Sequence, residues 1–176
     1  IDGLYEFQVI GGSDFNIRPE KLVNPLNGLT TGDVLAIQKH LVSIQIITDP
    51  YRLVAADVNH SYTISSVDAS LILQALKGNL AALAVLENNN SWRFIPTDYI
   101  FPFAGPVNLP TYPETRDLTG VTGDVIDQDF FGVKVGDVLE DASLGGTANP
   151  EVKPGDNASG EPVITDLFRY PIVAFT

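Results

Sequence analysis

The chain contains no cysteine and no methionine among its 176 residues, and it has only two histidines. The lack of cysteine excludes stabilisation by disulfide bonds and catalysis by a thiol nucleophile. The lack of methionine means that the initiating residue is missing. We therefore expect the sequence to be a processed or excised piece of a longer protein, and the absent signal peptide says nothing about that parent.

Basic residues are also scarce, with 10 Lys and Arg against 22 Asp and Glu and a formal net charge of −12. This balance argues against binding to nucleic acid or to an anionic membrane surface, because both require basic patches. No apolar run approaches the length of a membrane-spanning helix, so no membrane insertion is predicted. The hydrophobic fraction of 44% is enough for the core of one or two small domains.

Residues 57–68 carry oxygen-bearing side chains at alternating positions, end on a carboxylate and precede an apolar run. This is the layout of an EF-hand-type calcium loop that leads into a helix, and calcium takes six to eight oxygen ligands. The predicted ligands are Asp57, Asn59, Ser61, the backbone carbonyl of Thr63, and Asp68. The alternative is a plain loop with Asx turns, in which Ser65 or Ser66 caps the helix and Asp68 favours its positive end.

The loop and helix have a degenerate copy upstream at a constant offset, since 64 − 29 = 35 and 68 − 33 = 35. Apolar residues match at 29/64, 34/69, 36/71, 37/72 and 41/76, and hydroxyls match at 30/65 and 31/66. A fixed period indicates two copies of one supersecondary unit, each with an amphipathic helix that the other must cover. The first copy offers as oxygen donors Asn24, Asn27, Thr30 and Asp33.

Residues 22–80, which hold both copies, resemble a type I dockerin, the duplicated calcium-binding module of secreted bacterial proteins. Two positions depart from that family. Ser61 stands at loop position 5, where Asp or Asn is usual, and Tyr62 stands at position 6, where Gly is usual. Because Gly permits a left-handed turn, Tyr62 predicts strain or a different local path.

The resemblance implies a calcium-stabilised, non-catalytic interaction or anchoring module of a secreted or cell-surface protein, of the kind found in Bacteroidetes. Its implied partner is a cohesin-like domain, a neighbouring β-sandwich domain or another copy of the chain. The residues that the resemblance places at the partner surface are Thr31, Gly32, Ser66 and Val67. The absence of cysteine suits a surface protein that calcium stabilises, although it also fits the cytosol.

The pattern along the chain predicts an α+β fold. Helices are expected at about 31–43, 50–56 and 66–77, and strands at 91–96, 98–102 and 129–138 within a β-rich extension over 88–142. Residues 1–20 resemble the end of a Cna-B-like β-sandwich, with a simple hairpin that packs on the helices as the alternative. Residues 143–160 are predicted to be a linker, and residues 161–176 a terminal strand.

Two further hypotheses concern function. A strand at each end predicts, as an alternative, a subunit of an extracellular fibre or stalk that assembles by strand addition. Enzymatic activity is not predicted, because His40 and His60 lie in no recognisable catalytic setting and the chain has no phosphate loop or nucleophile elbow. Both histidines are expected at exposed positions. Trp92 is expected in the core rather than as a sugar platform, and four aspartates, at 124, 127, 129 and 137, are expected in solvated turns.

Overall fold

The computed structural model describes residues 11–21, 24–102, 105 and 107–142. In that part of the chain the order of elements is β1 (Ser13–Ile17), α1 (Thr31–Leu41), α2 (Pro50–Ala56), α3 (Ser66–Leu76), α4 (Leu80–Asn88), β2 (Trp92–Pro96), β3 (Arg116–Val121) and β4 (Phe130–Lys134). The predicted α+β class is confirmed. Residues 1–10 of the predicted β-segment over 1–20, the linker and the terminal strand lie outside the described residues, and so does the basis of the fibre hypothesis.

The two copied helices begin with the same device. Thr30 and Ser65 are N-caps with extended backbone, and each accepts a hydrogen bond from a backbone N–H in the first turn. The side chain of the aspartate three residues later accepts a hydrogen bond from the N-cap backbone N–H, which completes a capping box. Each cap contributes about 1 kcal/mol to the stability of its helix. The capping pattern explains why the predicted starts of both helices are correct.

Three elements differ from the sequence-based expectation. Helix α4 was not expected, although Asn79 caps it by accepting from the N–H groups of Ala81 and Ala82. Strand β3 was not expected either. The strand expected at 98–102 is wrong, because residues 97–98 form a turn in which the Tyr99 N–H bonds to the Pro96 carbonyl.

The four strands form two separate antiparallel pairs, β1 with β3 and β2 with β4. Helix α1 packs on α3, α3 on α4, and α2 on β4. Residues of the helices and of the β2–β4 region share one core, whose most buried members include Ile37, Ile72, Leu86, Ile95 and Val135. The predicted helical segment and the β-rich extension therefore contribute to the same hydrophobic cluster.

Strand β2 is buried along its whole length because it lies between two clusters. Trp92 and Phe94 pack with Ile17 and Phe130 in a smaller cluster, while Ile95 points into the main core. This alternation follows from the two-residue period of a strand. The structure accordingly places Trp92 in the core, at 3% exposure.

The C-terminal end of α1 differs from its predicted pattern. His40, expected to be exposed, is 2% exposed, and its Nδ1 accepts a hydrogen bond of 3.0 Å from the Ile47 N–H. The helix, expected to reach about residue 43, ends at Leu41, and Ile44 beyond it is 74% exposed. Both differences have one cause: Ser43 adopts a φ of 58°, and the chain then folds back over His40.

No single helix among the described residues is long and apolar enough to cross a membrane. Helices α3 and α4 together reach the required length and composition, but they are bent by 116° at their junction.

Candidate metal centre

The candidate calcium loop joins the end of α2 to the start of α3. Asp57 is the C-cap of α2, and Asp68 lies in the first turn of α3. Both carboxylates are buried, at 2% and 0% exposure. The outer side of the loop is held by a short antiparallel bridge, in which the Ile64 N–H donates to the Val107 carbonyl and the Leu109 N–H donates to the Tyr62 carbonyl.

Four of the predicted ligand oxygens gather around Ser61. The Ser61 N–H donates to Asp57 Oδ1 at 2.9 Å and to Asn59 Oδ1 at 3.1 Å. The Ser61 hydroxyl lies 3.4 Å from Asp57 Oδ1 and 3.1 Å from the Thr63 carbonyl oxygen. The local fold thus brings together a carboxylate, an amide oxygen, a hydroxyl and a backbone carbonyl, which are the donor types that calcium prefers.

Asp68 closes the loop. Its Oδ1 accepts from the N–H groups of Val58 and Asn59, at 3.0 and 3.3 Å. Its Oδ2 accepts from the N–H and the hydroxyl of Ser65, at 2.9 and 3.0 Å. Ser65 therefore caps the helix, as the plain-loop alternative predicts, but the contacts from Asp68 to Val58 and Asn59 go further. They tie the first residues of the loop to its last.

The electrostatics of the loop favour a cation. Burial raises the pKa of Asp57, the backbone hydrogen bonds from Ser61 and Tyr62 lower it, and the charge of Asp68 raises it further. A divalent cation bound at Asp57 would offset both the burial of this carboxylate and the repulsion from Asp68. Among the described residues, no group of three or more His, Asp or Glu side chains converges. The donor set therefore consists of two carboxylates and neutral oxygens, a charge count that corresponds to weak calcium binding.

Tyr62, at the loop position where Gly is usual in the resembled family, has a strained backbone conformation. Its φ is 60°, in the left-handed region that glycine would occupy, at a cost of about 1–2 kcal/mol. The ring packs against His60 and Tyr112, with centroid distances of 4.8 and 5.8 Å. These contacts offset part of the strain. His60 is half-buried rather than exposed, and its Nε2 lies 3.6 Å from Glu114 Oε1.

The predicted donors of the first repeat are arranged differently. Asp33 is fully buried, and its Oδ2 accepts from the N–H and the hydroxyl of Thr30, both at 2.8 Å. Asn24 has a φ of 54°, and its carbonyl accepts from the N–H of the buried Asn27 in a turn. The other oxygen of Asp33, Oδ1, is bonded by backbone groups more than 100 residues later in the chain. It accepts from the N–H groups of Val138 and Leu139 at 2.8 and 2.9 Å.

Residues 137–142 form a structural counterpart of the start of the 57–68 loop, at an offset of 137 − 57 = 80. Asp137 accepts from the N–H groups four and five residues later, as Asp57 does. Val138 and Leu139 donate to Asp33 as Val58 and Asn59 donate to Asp68. Glu140 has a φ of 61°, close to the 57° of His60.

The observed position of Asp137 contradicts two predictions. Residue 137 was expected within a strand and in a solvated turn, but β4 ends at Lys134 and Asp137 is 4% exposed. Burial raises its pKa to about 7 against the lowering effect of its backbone hydrogen bonds, and the charges of Asp33 and Asp141 raise it further. The missed signal is the dipeptide Asp137-Val138, which repeats Asp57-Val58. Its position 3 is Leu139, so the side-chain oxygen that Asn59 supplies has no equivalent.

The predicted partner-binding residues lie at the N-terminal ends of α1 and α3. Thr31, Ser66 and Val67 are exposed, with Val67 at 52%. Gly32 is half-buried, and a Cβ at that position would lie 2.7 Å from the Leu139 side chain. Most of the predicted surface is therefore accessible, while Gly32 is shielded by the 137–142 segment.

No protein-family model matches the chain, and neither the curated proteins nor the solved structures contain a match to it. The dockerin resemblance therefore remains a prediction that depends on residues 22–80 alone.

Proposed function

We propose that the chain is a calcium-stabilised, dockerin-like, non-catalytic module that mediates protein–protein interaction or anchoring in a secreted or cell-surface bacterial protein. The observation that supports this proposal is that the loop has a buried carboxylate at each end, Asp57 and Asp68, and that neutral oxygens gather with Asp57 around Ser61. The residues that would hold the ion are Asp57, Asn59, Ser61, Asp68 and, through its carbonyl, Thr63. Calcium would supply positive charge next to these buried carboxylates.

The role of the loop follows from its place in the chain. It connects α2 to α3, and α3 packs on α1. An ion in the loop would therefore stabilise the relative positions of these helices, and its binding free energy would add to the stability of the fold. The exposed residues Thr31, Ser66 and Val67 would then form a partner surface for a cohesin-like domain, a β-sandwich neighbour or a second copy of the chain.

Calorimetric titration of calcium into EDTA-treated, dialysed protein tests the proposal. We expect binding of one ion, with an affinity in the range of about 10⁻⁴–10⁻³ M that weakly charged extracellular sites show. Magnesium should bind more weakly, because it requires octahedral geometry and gives up its water reluctantly. No heat of binding, together with an unchanged melting temperature, would disprove the calcium proposal.

A further inference from the structure

A polar cleft of about 390 Å³ lies beside the candidate calcium loop and is not used by the metal proposal. It is bordered by His60 of the loop, by the asparagines at 88–90 at the C-terminal end of α4, and by Arg93 of β2. Arg18 and Glu114 complete its charged lining. The cleft thus combines several hydrogen-bond donors with both signs of charge in a chain whose net charge is −12.

Arg93 is the unusual residue of this cleft. It is 3% exposed, and its closest ionic contact is from Nη1 to Glu114 Oε1 at 3.5 Å, which is long for a charge-assisted hydrogen bond. Within the part of the chain that the structure describes, its Nε and Nη2 are buried and have no acceptor. A buried donor without an acceptor destabilises the fold, and more so when the group is charged. The guanidinium therefore needs further acceptor oxygens.

The charges that line the cleft define the kind of acceptor. Arg18 and Arg93 bring two positive charges, and Glu114 brings one negative charge. The lining then has one excess positive charge, which a monoanion balances. The fork of a guanidinium matches the two oxygens of a carboxylate, whereas Glu114 would repel a phosphate dianion more strongly.

We propose that this cleft binds a carboxylate group through Arg93 and Arg18, supplied either by an acidic side chain of a protein partner or by a small free carboxylic acid. Glu114 occupies part of the guanidinium fork and competes with the incoming group. The proposal depends on the contacts of Arg93 and does not require a metal in the 57–68 loop. It adds to the interaction function a second recognition site with defined chemistry.

The test uses nuclear magnetic resonance of the full ¹⁵N-labelled chain, read at the Arg93 Nε–H signal. The probes are acetate, a capped Gly-Glu-Gly peptide, the matched Gly-Gln-Gly peptide and inorganic phosphate. A saturating shift with acetate and the Glu peptide, with Kd values in the millimolar range of single-group ligands, supports the proposal. A Glu peptide that binds at least about tenfold tighter than acetate, a difference of 1.4 kcal/mol, assigns a protein source, and equal affinities assign a small free acid.

Variants of opposite expected sign strengthen the test. Arg18→Gln, at an exposed position, should weaken acetate binding about threefold. Lys77→Gln removes the same charge at an exposed position that does not line the cleft, and it should leave binding unchanged. Glu114→Gln should tighten binding because the competing carboxylate is gone. The proposal is overturned if neither carboxylate shifts the Arg93 signal, if the Gln peptide or phosphate binds as well as the Glu peptide, or if Arg18→Gln and Lys77→Gln behave alike.

Discussion

The substitution Asp57→Asn separates the structural role of this carboxylate from its proposed role in binding calcium. In the absence of metal, Asp57 accepts from the N–H groups of Ser61 and Tyr62 and contacts the Ser61 hydroxyl. Asparagine keeps one acceptor oxygen and loses the other, which costs about 1–3 kcal/mol. It also removes a buried charge that Asp68 repels. We therefore expect a net loss of about 1 kcal/mol, or about 2–4 °C in melting temperature for a chain of this size.

Calcium should change this comparison. If the wild-type Kd is about 10⁻⁴ M, then about 10 mM calcium adds about 2.7 kcal/mol to stability. That gain corresponds to about 5–10 °C in melting temperature. Losing one of two charged ligands should weaken binding at least about tenfold, since charge-assisted contacts contribute about 1.5–3 kcal/mol. The calcium-induced rise in the Asp57→Asn variant should then be about half the wild-type value or less.

The assay is differential scanning calorimetry of both proteins in EDTA and in calcium. Asp49→Asn is the matched control, because Asp49 caps α2 outside the loop and asparagine is an equally good N-cap. This control should keep the full calcium-induced rise. The proposed role of Asp57 is refuted if calcium leaves the wild-type melting temperature unchanged, or if it raises that of Asp57→Asn as much as that of the wild type.

Three further predictions concern stability in EDTA, measured by urea denaturation. The folded-state pKa of Asp137, about 7, lies above its ordinary value of 3.8, so between these pH values the folded state holds a proton that the unfolded state has lost. The wild type should therefore lose stability relative to Asp137→Asn as the pH rises from about 4 to about 7, and a relative gain would contradict this. Tyr62→Gly should be more stable than Tyr62→Ala by about 1 kcal/mol, because both lose the ring but only alanine keeps the left-handed strain; equal stabilities would remove the strain argument. Ile37→Ala, at a fully buried position of α1, should cost about 2–5 kcal/mol, whereas the control Ile44→Ala, at 74% exposure, should cost under about 0.5 kcal/mol; similar losses would contradict the assigned core.

Local signals accounted for the starts of α1, α2 and α3. Thr30 with Asp33 and Ser65 with Asp68 are capping pairs three residues apart, so the starts of α1 and α3 were readable from the chain. Asp49 followed by Pro50 marked α2 in the same way. The ends of helices were less predictable, because the chain reversal over His40 depends on a hydrogen bond to Ile47, seven residues away.

Residues a few positions apart were enough to predict the capped starts of α1 and α3, the 35-residue duplication and the set of oxygens over 57–68. The backbone groups that bond to Asp33 depend on the tertiary fold. Its partners at Val138 and Leu139 are more than 100 residues away, and no local periodicity encodes a hydrogen bond across that separation. The same reason applies to the Arg93 cleft, where Arg18, His60 and Glu114 meet only after the strands have paired. Short-range geometry is a property of the chain, whereas burial and the neighbours of a charge are properties of the folded molecule.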